Sequence, residues 1–69
     1  MKIVKVVFVA YTSETGMCEH EVLEVVTRGT VVGMELMYQA VLQVIKKWNS
    51  SNRYQISDDD IITVEIIAQ

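Results

Sequence analysis

Apolar and polar residues alternate over the first dozen positions, take up a three-to-four-residue rhythm in the middle of the chain, and alternate again near its end. In residues 2–12, KIVKVVFVAYT, Val4, Val6, Phe8 and Ala10 fall on one side, and Ile3, Lys5, Val7, Val9 and Tyr11 on the other. With many β-branched and aromatic residues and no breaker, this segment predicts a strand. The first side carries no interior charge and is expected to face a helix; the second is still mostly apolar, which is unusual for a sheet face left in water. Ser13–Glu19, SETGMCE, predicts a hairpin turn around Gly16, longer than a tight two-residue loop. Residues 21–28, EVLEVVTR, then return as a second strand, with Leu23 and Val25 on one side and His20, Val22, Glu24, Val26 and Arg28 on the other. Charges on both sides place it at a sheet edge.

The helical rhythm runs from Met34 to Trp48, MELMYQAVLQVIKKW. Glu35, Gln39, Gln43, Lys46, Lys47 and Ser50 form one narrow polar stripe. Met34, Met37, Val41, Val44, Ile45 and Trp48 form an apolar seam, which Leu36, Tyr38, Ala40 and Leu42 widen on both sides. A surface helix needs an apolar arc of little more than ~100°, and this one covers over half the circumference. One flank is therefore expected to pack on a sheet, leaving the other available to a second chain. The helix starts near Val32, with either Thr30 or Gly33 at the cap, and ends at Asn49–Asn52, where Lys46 and Lys47 complement the C-terminal dipole. Arg53–Asp60 is a polar connection with Tyr54 and Ile56 tucked under the helix end. Residues 61–68, IITVEIIA, predict a third strand with Ile62, Val64, Ile66 and Ala68 on one face and Ile61, Thr63, Glu65 and Ile67 on the other. The expected fold is α+β, a three-stranded sheet with one helix packed on one face in the order β-β-α-β, in a single domain spanning residues 1–69. The crossover through the helix leads us to expect the third strand parallel to the first.

Size changes the meaning of this pattern. A folded chain of 69 residues hides only ~60% of its unfolded surface and is marginal without a staple. Cys18 is the only cysteine, so no internal disulfide forms, and no Cys/His cluster holds a structural metal. A hydrophobic content of 51% and a mean hydropathy of +0.27 add to the apolar surplus. Self-association, with a dimer as the leading form, or a lasting protein partner is the remaining route to stability. A net charge of -3 supplies no field for phosphate backbones, which argues against a nucleic-acid partner. No segment approaches the ~18 apolar residues of a membrane span, and Val6–Ala10 is shorter than the ~7–15 residues of a signal-peptide core. A reducing, cytoplasmic setting fits the lone thiol.

The candidate chemistry is sparse. Cys18 and His20 form a C-x-H pair among Glu19 and Glu21, but a closed zinc site takes four ligands, and a thiol–imidazole pair needs an oxyanion site that nothing nearby supplies. A thiol- or metal-dependent enzyme with its site at a subunit junction is the alternative reading. The preferred reading has no catalytic residue, metal or cofactor. Asp58, Asp59 and Asp60 lack the alternate-ligand spacing of a calcium loop and read as an acidic docking patch. GTVVG lacks the spacing and the lysine of a phosphate-binding loop. The expected partner-binding residues are Leu36, Tyr38 and Leu42 on the helix, Val7, Val9 and Tyr11 on the outer sheet face, and Asp58, Asp59 and Asp60.

In architecture, an acidic chain of this size running strand, strand, helix, strand resembles many small phage-encoded proteins, including some that inhibit host RNA polymerase or CRISPR machinery. The resemblance implies a protein-binding, non-catalytic role and assigns no functional residue.

Overall fold

A computed structural model describes every residue from Met1 to Gln69. Strand β1 (Lys2–Thr12) and strand β2 (Gly16–Val26) form a hairpin, helix α1 (Gly33–Ser51) follows, and a short 3-10 turn (Asp58–Asp60) leads into strand β3 (Ile61–Ala68). The fold is α+β in the order β-β-α-β, with β1 at the centre of a three-stranded sheet ordered β2-β1-β3.

The hairpin is tighter than the polar run suggested. Thr12 pairs with Gly16, and only Ser13, Glu14 and Thr15 lie outside the ladder, so Met17–His20 belong to β2. The turn closes this tightly because Gly16 takes φ +71°, a left-handed conformation that costs a side-chain-bearing residue roughly 1–2 kcal/mol. A Cβ at Gly16 meets no atom within 4 Å, so Gly16→Ala carries the conformational cost alone. The expected result is a melting temperature lower by about 4–16 °C, read by circular dichroism, with the fold retained.

Strand β3 pairs with β1 antiparallel, which corrects the parallel expectation. The hairpin brings Val26 beside Lys2, so α1 starts near the beginning of β1. Its 19 residues, at ~1.5 Å each, carry the chain ~28 Å to the far end of the sheet. A strand leaving that end must run back against β1. The crossover rule still applies, but to β2 and β3, which are parallel to each other with β1 between them.

Two irregularities in the β1–β3 ladder set the phase of β3. Phe8 pairs with Ile61 and Val7 with Thr63, leaving Ile62 as an extra residue; Val4 pairs with Ile66 and Ile3 with Ala68, leaving Ile67 extra. Ile61 thereby joins Val64 and Ile66 against the core, while Ile62 and Ile67 are exposed. The strict two-residue alternation had placed Ile61 on the opposite face.

The helix begins where Val32 is extended and Gly33 turns the chain at φ +59°, within the expected range of starts. It ends at Ser51, and its asparagines bind the following loop back onto it. Asn49 donates to the Ile56 carbonyl and accepts from its N–H at 2.9 and 2.8 Å, and Asn52 donates to the Trp48 carbonyl. No basic residue lies in the last turn, so Lys46 and Lys47 sit too far back for the expected dipole role. Ile56 is buried as expected, whereas Tyr54 is exposed and meets Tyr11 edge to face at 4.6 Å.

The core lies between α1 and the inner sheet face. Val4, Val6, Phe8 and Ala10 from β1 meet Leu36, Ala40 and Val44 from the helix, closed by Val26, Val31 and Ile56. Only 11 of 69 residues are buried, which matches a two-layer domain with one sheet face uncovered. The total accessible surface, 4655 Å², is close to the ~4,400 Å² that scaling gives for a folded chain of this mass. The amount of surface is ordinary, and its arrangement is not.

Candidate functional site

Alternation along β1 and β2 gives the sheet an inner face under α1 and an outer face that no element covers. Ile3, Val7 and Val9 of the central strand stand on the outer face, half-buried only by their neighbours. Cross-strand pairing sets Ile3 against Val25 and Tyr11 against Met17, with Leu23 beside Lys5. Met17 and Leu23 are 67% and 62% exposed. Lys5 is the one cation in the middle of this face, and its ammonium lies 3.3 Å from Glu65 and 4.0 Å from Glu21 on the flanking strands. Exposed pairs of this kind contribute about 0–1 kcal/mol each to stability. Their larger effect is to leave the apolar centre without an unpaired charge, so that covering it is less costly. Val7 and Val9 belong to this surface. Tyr11 does so only in part, since the Tyr54 ring already covers it.

A second apolar surface runs along α1. Met34, Tyr38 and Leu42 are exposed at helical spacing, and with Met37, Val41, Ile45, Ile56 and Val64 they line a groove of about 640 Å³ between the helix and β3. Leu36 is not part of it. Leu36 is 0% exposed and points into the core, a correction to its expected place in an interface. The helix buries Leu36, Ala40 and Val44 and packs Ile45 and Trp48 against the core, so the C-terminal half of the expected seam holds. Leu36 and Ala40 take the places expected of Met37 and Val41, and Met34 is exposed. Choosing between ridges on so apolar a helix depends on the sheet beneath, which periodicity cannot see.

Asp58 lines the end of this groove beside Ser57. Asp59 is exposed, while Asp60 is half-buried and accepts a 2.9 Å hydrogen bond from the Ser57 N–H in a capping box. The triplet is therefore two free carboxylates and one structural cap.

Cys18 and His20, expected in a turn, lie on β2 and face the helix side of the sheet, with Cys18 Sγ 3.5 Å from His20 Nε2 and 3.5 Å from Thr15 Oγ1. The His20 ring stacks on Phe8 at 5.5 Å and meets Trp48 at 4.8 Å, while Phe8 and Trp48 make an edge contact at 5.2 Å. Such packing holds the imidazole as part of an aromatic wall. No group of three or more His, Cys, Asp and Glu side chains converges here or elsewhere.

One polar residue that sequence reasoning had not singled out is Glu24, buried on the inner face of β2. Its Oε2 accepts from Gln43 at 2.7 Å and lies 2.8 Å from the Lys47 ammonium, tying the edge strand to the helix. Gln43 also donates to the Val25 carbonyl. The signal was available, since Glu24 shares its side of the strand with Val22 and Val26. A charge on an inward face is either an error of phase or half of a buried pair.

These features define a small α+β domain whose distinctive surfaces are an open apolar sheet face and an apolar helix flank, with carboxylates at their margins. No protein-family model, curated protein or solved structure matches the chain. No helix is long and apolar enough to cross a membrane.

Proposed function

We propose that this chain is a non-enzymatic protein-interaction module that self-associates and binds another protein, blocking that protein's function by occupying its surface. The observation that carries this reading is the uncovered outer sheet face, where Ile3, Val7, Val9, Met17, Leu23 and Val25 surround the neutralised Lys5. An apolar sheet face without a second layer is the usual condition of a domain that receives its second layer from another molecule. The acidic margin, Glu19, Glu21 and Glu65 on the face and Asp58 and Asp59 beyond it, favours a basic partner surface.

Sedimentation equilibrium tests the self-association. A species heavier than 7.9 kDa at micromolar concentration is the expected result, and a clean monomer through tens of micromolar (roughly the range of a weak dimer) would count decisively against the reading. The face itself is tested by Val9→Lys. Val9 pairs with Glu19 across the hairpin, so the new ammonium gains a carboxylate and the fold is retained, while docking on the face is lost.

A further inference from the structure

Every sheet with two edges must manage both, because an edge strand presents unpaired N–H and C=O groups that template further pairing. The two edges of this sheet differ. Strand β3 has 8 residues and carries two extra ones, Ile62 and Ile67, that break its ladder; bulges of this kind twist an edge away from partners. Strand β2 has 11 residues in unbroken register with β1, no proline and no lysine. Its only edge guards are carboxylates, Glu19 and Glu21 on the outer face and Glu24 on the inner one, and Gln43 of the helix donates to the Val25 carbonyl. Most of its outer edge therefore carries no bulge, proline or lysine.

We infer that the β2 edge pairs antiparallel with the β2 edge of a second copy, about a two-fold axis at Val22, making one continuous six-stranded sheet. The inference rests on the self-association proposed above and specifies the element responsible for it.

The charge pattern of β2 selects both the occupant and the register. Centred on Glu19 or Glu21, the strand sets a glutamate against itself, and centred on His20 it sets Glu19 against Glu21. Centred on Leu23, no like charges oppose, but His20 faces Val26, Glu24 faces Val22, and the paired stretch is shorter. Centred on Val22, residues from Cys18 to Val26 pair with the same stretch of the second copy. His20 then opposes the second copy's Glu24, Glu21 opposes Leu23, Glu19 opposes Val25, and Val22 meets itself. The one like-charge approach left is a diagonal between the two Glu21 side chains, each of which has its own Lys5 at 4.0 Å. In this register the stretch from Cys18 to Val26 pairs with its own reverse without setting like charges directly opposite, which suits it to a second copy of this chain.

The helices leave room for this pairing. Helix α1 packs over all three strands and so lies near β1 at the centre of the sheet. With strands ~4.8 Å apart, the two helix axes stand ~14 Å apart across the two-fold axis, beyond the ~8–10 Å of direct helix packing. The join also doubles the outer face, so that both copies of Val7, Val9 and Leu23 lie on one surface for a further partner.

Disulfide trapping tests the pairing. In a Cys18→Ser background, Val22→Cys places two thiols across the axis within the ~4.4–6.8 Å Cα separation of a disulfide. Near-complete covalent dimer on mild oxidation is expected, with unchanged circular dichroism showing that the variant is folded. Efficient cross-linking of Leu23→Cys in place of Val22→Cys would overturn the register. As a second measurement on the unaltered protein, outward-facing β2 amides are expected to exchange about tenfold faster on dilution from dimer to monomer. A dimer by sedimentation with no Val22→Cys cross-link and no concentration-dependent protection in β2 would overturn edge pairing while leaving self-association in place. A monomer by sedimentation would remove both.

Discussion

Phe8→Ala is expected to abolish the folded state at room temperature or bring it to the edge of unfolding. Phe8 is 0% exposed at the middle of the central strand. It touches both layers, stacking on His20 from β2 and meeting the edge of Trp48 from α1, and its strand neighbour Ile61 anchors β3. Truncating a buried phenylalanine costs about 3–5 kcal/mol when the site cannot collapse. At ~0.05–0.15 kcal/mol per residue, a domain of 69 residues has a total stability of roughly 3–10 kcal/mol. The loss is thus comparable with the whole. Urea titration followed by circular dichroism measures it, with Phe8→Leu as a control that keeps most of the volume and loses far less. A midpoint for Phe8→Ala near that of the unaltered chain would mean that the core lies elsewhere.

The second large effect is a contrast between two leucines of one helix. Leu36→Glu is expected to unfold the chain, because it puts a carboxylate at a position with no exposure among the apolar side chains of the core. Burying an unpaired charge costs several kcal/mol, more than this domain can lose. Leu42→Glu introduces the same side chain at a position 42% exposed on the groove flank. It is expected to stay folded, at a cost of about 1 kcal/mol or less, and to leave the proposed β2-edge dimer intact, since that edge does not involve Leu42. Circular dichroism with sedimentation separates the cases. A folded Leu36→Glu would refute the packing described for α1, and a folded but monomeric Leu42→Glu would move the copy-to-copy contact from the strand edge to the helix flank.

The two leucines also show how far sequence reading reaches. Both lie on the apolar side of a helix that is apolar around more than half its circumference, and the helical period alone assigned both to a possible interface. The strands were more legible. Val4, Val6, Phe8 and Ala10 came out as the inner face of β1 because the other side held Lys5, and one charge suffices to set the phase of an alternating strand. Strand β3 had no such marker near its start. Its run of isoleucines fits either face, and the extra residue at Ile62, visible only in the pairing with β1, changed the phase. Among the candidate binding residues, Val7 and Val9 lie on an uncovered face and Tyr38 and Leu42 on an uncovered flank. Leu36 is interior, Asp60 caps a turn, and Tyr11 is half occupied by Tyr54.

The amino-acid order by itself determined the kinds of elements and their succession, the inner face of the first strand, the end of the helix and the shortage of apolar cover. Each of these follows from spacing within a single segment, and dihedral preference and alternation act at that range. The direction of β3, the ridge of α1 that enters the core and the pairing of Glu24 with Lys47 were decided only by the tertiary structure. These depend on where one element comes to rest against another, which is fixed by the length of the helix between the strands and the shape of the surface it covers.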